Sequence, residues 1–140
     1  VCVIDGLGAV TLDRTINTFD GMFEWCGKQA TIMLAAENDA PHPSAVRAAM
    51  RLVDESLDWD VRMRTSGAAE MTSTYNEFWR DEDRPELDAA TMARAMTLST
   101  LSIDCLGEFS ATYEVGDLFS DHAIQVTGTI ADGVQDVGLI

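Results

Sequence analysis

Basic residues are scarce in this chain: 9 lysines and arginines stand against 24 aspartates and glutamates, a formal net charge of −15 over 140 residues. A field of that sign repels phosphate backbones and anionic lipid, so nucleic acid and membrane surfaces are excluded as partners, while a basic protein would be attracted. Cysteine is equally thin. Cys2, Cys26 and Cys105 are odd in number, widely spaced and form no C-x-x-C pair, which excludes a disulfide framework and a thiolate zinc site. Free thiols point to a reducing, cytoplasmic compartment. Cys26 falls in a turn and Cys105 at a strand end, where each reads as small apolar filler rather than a nucleophile.

Long apolar runs are missing too. The longest, Ala30 to Ala36, is far too short to cross a bilayer. No signal peptide or basic targeting segment is visible, and a first residue of Val1 rather than Met leaves an upstream start, a processed leader or a trimmed fragment open. There is no glycine-rich phosphate loop, nucleophile motif or metal-ligand spacing, so no cofactor and no metal is expected.

What is present is globular. The composition is 46% hydrophobic with 7% aromatic residues, and the length suits one domain, so residues 1–140 read as a single unit. The acids are unevenly spread: residues 1–40 carry 6 acids and 2 bases, residues 41–80 carry 6 and 5, and residues 81–140 carry 12 and 2.

Both ends of the chain alternate with period 2, the pattern of half-buried strands. Val10 and Leu12 share a side, as do Phe23 and Trp25, and Cys26-Gly27-Lys28 supplies a hairpin loop into a strand carrying Ala30, Ile32 and Leu34. Leu101 and Ile103 open a second meander; Phe109, Ala111 and Tyr113 alternate with Ser110, Thr112 and Glu114. A final run puts His122, Ile124, Val126, Gly128 and Ile130 on one parity.

The middle is helical. Residues 37–43, ENDAPHP, are breaker-rich, with His42 a solvated linker residue, and Ser44 then caps a helix to Arg64. Its apolar stripe is Val46, Met50, Val53, Leu57 and Val61; Arg51 with Glu55, Asp58 with Arg62 and Asp60 with Arg64 are four apart and support its exposed face. Thr65-Ser66-Gly67 interrupts before a second helix built on Ala68, Met71, Tyr75 and Phe78 or Trp79, and Asp88 caps a third over residues 89–96. The expected fold is therefore α+β: an antiparallel sheet from N- and C-terminal meanders packed against a central helical region.

Two clusters are candidate sites. Asp117, Asp121 and His122 bring two carboxylates beside a histidine, which admits a general base or metal ligand in a metal-assisted hydrolase. The competing and expected reading is a structural, partly buried histidine bonded to the Asp117-Leu118-Phe119 turn, since a buried polar group needs partners and a turn supplies them. Asp81, Glu82, Asp83 and Glu86 form an acidic loop suited to a basic protein partner. The loop is no EF-hand, because Pro85 and Glu86 stand where that motif needs its third ligand and glycine.

The motif G-E-F-x-x-x-Y-x-x-G-D-L-F-x-x-H-x-I-x-V over residues 107–126, with Trp25 before the Gly27 hairpin, Trp59-Asp60, and Asn76 with Trp79, carries a resemblance. The chain resembles, from Ala9 to Ile140, the uncharacterised bacterial family numbered two thousand two hundred and sixty-two in the domain-of-unknown-function series. The resemblance implies hairpins around helices and brings no catalytic residues with it. The expected function is a non-catalytic acidic interaction domain, an immunity-type or regulatory protein masking a basic partner; the alternative is the metal-assisted hydrolase.

Overall fold

A computed structural model describes residues 1–140. The fold is α+β, with nine strands in one sheet and the helices inserted between its two halves. The first half comprises β1 (Cys2–Ile4), β2 (Gly8–Asp13), β3 (Thr18–Trp25), β4 (Lys28–Glu37) and the short β5 (Ala40–Pro41). Then come α1 (Pro43–Asp54), α2 (Ser56–Thr74) ending in a π-turn at Tyr75–Trp79, and α3 (Ala89–Ala95). The second half is β6 (Thr97–Ile103), β7 (Phe109–Glu114), β8 (Ile124–Thr129) and β9 (Gly133–Leu139).

Neighbouring strands within each half pair antiparallel, and β4 and β6 pair in parallel, Ile32 opposite Leu101 and Leu34 opposite Ile103. That parallel seam requires a crossover, and the helical middle is that crossover. The alternation read from the sequence sets the buried face: Phe23, Trp25, Ile32, Leu34, Phe109, Ala111, Tyr113, Ile124 and Val126 all belong to one core of 29 buried residues. The opposite parity is polar and more accessible, with Thr31, Thr100, Thr112 and Gln125 in one cross-strand row. At the β3–β4 hairpin Cys26 and Gly27 have φ of 50° and 84°, as a two-residue loop matched to strand twist demands.

The helices depart from the sequence reading. The expected helix from Ser44 to Arg64 is two helices, broken at Glu55 (φ −117°, ψ 35°), and the break changes which face is inside. In α1 the buried residues are Ala45, Ala48, Ala49 and Leu52, spaced i, i+3, i+4, i+7; in α2 they are Trp59, Met63, Gly67, Ala68 and Met71. The expected stripe lies beside this face: Val46, Met50 and Val53 are half-buried at its margin, while Leu57 and Val61 are 74% and 62% exposed. Small alanines let α1 approach the sheet closely, so larger neighbours are left outside.

Thr65-Ser66-Gly67 does not interrupt α2, which continues to Thr74. Gly67 is there for contact rather than for a break: a Cβ on it would come within 2.6 Å of the Met96 side chain. Of the expected Phe78 or Trp79, Trp79 packs inward and Phe78 is exposed. Ser44 is not the cap of α1 and His42 is not a solvated linker. His42 is the cap, its Nδ1 accepting from the Ser44 N–H at 3.1 Å while Nε2 faces Glu37 at 3.2 Å. Cys26 and Cys105 are exposed, so neither fills the core.

This packing predicts unequal effects from neighbouring leucines. Leu52→Ala should lower the unfolding free energy by about 2–5 kcal/mol, through lost burial and a cavity, and Leu57→Asp should change it by less than about 0.5 kcal/mol. Urea denaturation measures both, and comparable losses would contradict the helix orientation.

Candidate functional site

The acidic loop before α3 and the β7–β8 turn are brought together by one ion pair. The loop between the π-turn and α3 carries Asp81, Glu82, Asp83 and Glu86, all exposed. Asn76 clamps its far end, donating from Nδ2 to Leu87 O and accepting from the Leu87 N–H, each at 2.9 Å. Arg80 holds the inside, donating from Nη1 to Arg84 O at 2.7 Å, with Nη2 3.9 Å from Glu86. Arg84 then reaches across to the β7–β8 turn, where its two Nη atoms meet both oxygens of Asp117 at 3.1 and 3.4 Å. The Arg84 guanidinium holds the Asp117 carboxyl below the usual carboxylate range. The loop and the turn bearing Asp117 and Asp121 thus form one acidic surface.

His122 does not point into the core. It lies outside β8, its side chain is 47% exposed, and its Nε2 is 4.0 Å from Asp121. Its backbone N–H bonds Phe119 O at 3.0 Å, closing the preceding turn, but its ring turns elsewhere: Nδ1 is 3.0 Å from Ile140 O and the ring meets Trp79 edge-on at 5.6 Å. These contacts tie Ile140 and Trp79 to the β7–β8 turn. Asp117, Asp121 and His122 are neighbours without converging, and no group of three histidines, cysteines or acids has metal-holding geometry.

The most densely bonded polar pair is Asp60 with Arg64, expected on an exposed face and found at the border of the core. Asp60 Oδ1 accepts from Trp25 Nε1 at 3.0 Å and from the Tyr113 hydroxyl at 2.6 Å, and Oδ2 accepts from Arg64 Nε at 2.7 Å. Arg64 also donates through Nη1 to Ala93 O at 2.7 Å and to Met96 O, fastening the end of α3 to α2. Burial pushes the Asp60 carboxyl up, but the bonds from Trp25, Tyr113 and Arg64 outweigh it and the carboxyl titrates below its ordinary range. Burial, reinforced by the facing carboxylate, raises the Tyr113 phenol far above its usual value, so it stays a donor. Beside them a cavity of about 170 Å³ is lined by Cys26, Lys28 and Thr97 among others. Although Cys26 is largely exposed, the desolvation it does suffer, with the Asp60 charge nearby, pushes its thiol up against the opposing pull of Ser56 and disfavours the thiolate. With both oxygens of Asp60 engaged, this cluster is built to hold strands and helices together rather than to transfer protons.

The sequence did contain a signal for it. Trp59, Met63, Gly67 and Met71 recur every four residues, and had that row been taken as the buried face, Asp60 and Arg64 would have fallen at its border beside the sheet.

Residues 5–139 match the family model described as an uncharacterized protein conserved in bacteria (DUF2262), and the chain belongs to that family. No curated protein and no solved structure matches it.

The Asp60 cluster makes a signed prediction. A carboxyl with a depressed folded pKa contributes stability above its unfolded pKa, about 3.9, and that contribution is lost as pH falls through the lower folded value. Asp60→Asn should therefore cost about 2–4 kcal/mol at pH 7, and the gap from the parent should close below about pH 4. Urea titrations at pH 7, 5, 4 and 3 check this; a gap constant with pH would contradict it.

Proposed function

We propose that this member of an uncharacterised bacterial family is a non-catalytic acidic interaction domain, an immunity-type or regulatory protein that masks a basic protein partner. The observation carrying the reading is the Arg84–Asp117 pair at 3.1 Å, which presents the 81–86 loop and the 117–121 turn as one surface. The two arginines there are already engaged, Arg80 with Glu86 and Arg84 with Asp117, while Asp81, Glu82, Asp83 and Asp121 remain exposed. A loop already held by Asn76, Arg80 and Arg84 loses little freedom on binding, which favours affinity. Its charge accelerates encounter with a cationic surface.

The hydrolase reading has no comparable support, since both oxygens of Asp117 face Arg84 and His122 turns to Ile140. No helix is long and apolar enough to cross a membrane. Three free thiols support a reducing, cytoplasmic setting.

The test separates a specific face from general acidity. The domain is used to recover proteins from bacterial lysate of its source at about 0.1 and 0.5 M salt. Two triple variants are run beside it: Asp81→Asn with Glu82→Gln and Asp83→Asn, and a charge-matched control, Asp5→Asn with Asp13→Asn and Asp136→Asn. We expect a basic protein whose association rate falls with salt and with the loop variant but is little changed by the control. Equal sensitivity to both triple variants, or no basic protein at low salt, would leave the acidity a solubility feature.

A further inference from the structure

An open groove of about 610 Å³, within the range of small-ligand sites, runs between α1, the β6–β7 turn and the end of β8. Its apolar lining comes from Val46, Met50, Leu106 and Ile130, and Leu106 is 86% exposed at the turn. Arg47 and Arg51 line it as well. Arg14, Arg62, Arg64, Arg80 and Arg84 each have a carboxylate within 4 Å. Arg47 bonds only the Ser44 hydroxyl at 3.2 Å, Arg51 makes no ion pair, with Glu55 four residues on or with any other acid, and Arg94 on α3, which bonds the Thr91 hydroxyl, is likewise unpaired, but only Arg47 and Arg51 lie together on a groove. In a protein with 24 acids, two like charges one helical turn apart and without acid partners stand against the helix's own preference.

We infer that the groove binds a small amphipathic monoanion, a carboxylate with an apolar chain. The two guanidiniums would hold the headgroup, a geometry arginine suits better than lysine, and Leu106 with Val46, Met50 and Ile130 would cover the chain. Charge fixes the size class of the occupant. Repulsion from a net charge of −15 grows with the charge of the approaching body, so a nucleic acid, an acidic protein or an anionic membrane is turned away. A single charge meets less opposition, because the field is screened within about 8 Å at physiological salt and the only charged side chains lining the groove are the two arginines, with Asp104, Glu108 and Asp132 flanking its turns. The site is distinct from the acidic loop: a small anion bound here would not occupy the surface offered to a basic protein.

The probe is octanoate, with octanol, acetate and inorganic phosphate as separate arms, followed by calorimetry and by backbone amide shifts. Octanoate should bind one to one with a Kd of about 1 mM or tighter and move the amides of Arg47, Arg51 and Leu106. Octanol, acetate and phosphate should each bind at least about tenfold more weakly, since each lacks either the charge or the chain. The double variant Arg47→Gln with Arg51→Gln should weaken octanoate by about tenfold or more while keeping the parent urea midpoint, and Leu106→Ser should weaken it without touching the charge. Octanol binding as tightly as octanoate, phosphate binding as tightly, an indifferent double variant, or no saturation by about 10 mM octanoate would each overturn the proposal.

Discussion

The carboxylate of Asp60 is the constraint on which the rest of the architecture leans. One of its oxygens accepts from Trp25, at the end of β3, and from Tyr113, near the end of β7. Those strands belong to opposite halves of the sheet, separated by the parallel seam between β4 and β6. The other oxygen engages Arg64, and Arg64 carries the connection on to the carbonyls ending α3. A carboxylate with only 13% of its side chain accessible needs bonded oxygens to keep its charge, and both are bonded here. The same requirement fixes the phase of α2, because only a rotation that buries Trp59 and Met63 delivers Asp60 to Trp25 and Tyr113.

The strands were legible because the sheet has one dry face and one wet one. Phe109, Ala111 and Tyr113 against Ser110, Thr112 and Glu114 cannot be read in another register without exposing two aromatic rings. The helices were less legible for two physical reasons. Ala45, Ala48 and Ala49 carry little hydrophobic signal, yet they are buried because they permit close approach; Val46, Met50 and Val53 carry more and sit at the margin. The break at Glu55 then resets the helical phase, with neither proline nor glycine to announce it. His122 illustrates a different limit. Its parity with Ile124 holds only if the strand extends back to it, and the strand begins two residues later, so the ring is free to bond the Ile140 carbonyl.

Charge is arranged as deliberately as the core. The two arginines of the acidic loop are engaged internally, Arg84 with Asp117 and Arg80 with Glu86, which shapes the loop while leaving its other carboxylates exposed. Arg47 and Arg51, on α1, have no acid partner and share a groove with an exposed leucine. The loop segments could be recognised from sequence as acidic, but their junction depends on a contact between residues 84 and 117 that no local pattern announces.

The claim that Asp60 couples the two halves of the sheet is tested most directly by a double-mutant cycle. Trp25→Phe and Tyr113→Phe each remove one donor to the same oxygen, on strands that are not paired with one another. Measured by urea unfolding at pH 7, the two changes should be non-additive by about 0.5–1.5 kcal/mol, and the coupling should vanish in the Asp60→Asn background. Strict additivity in the parent, or coupling that survives without the carboxylate, would contradict it.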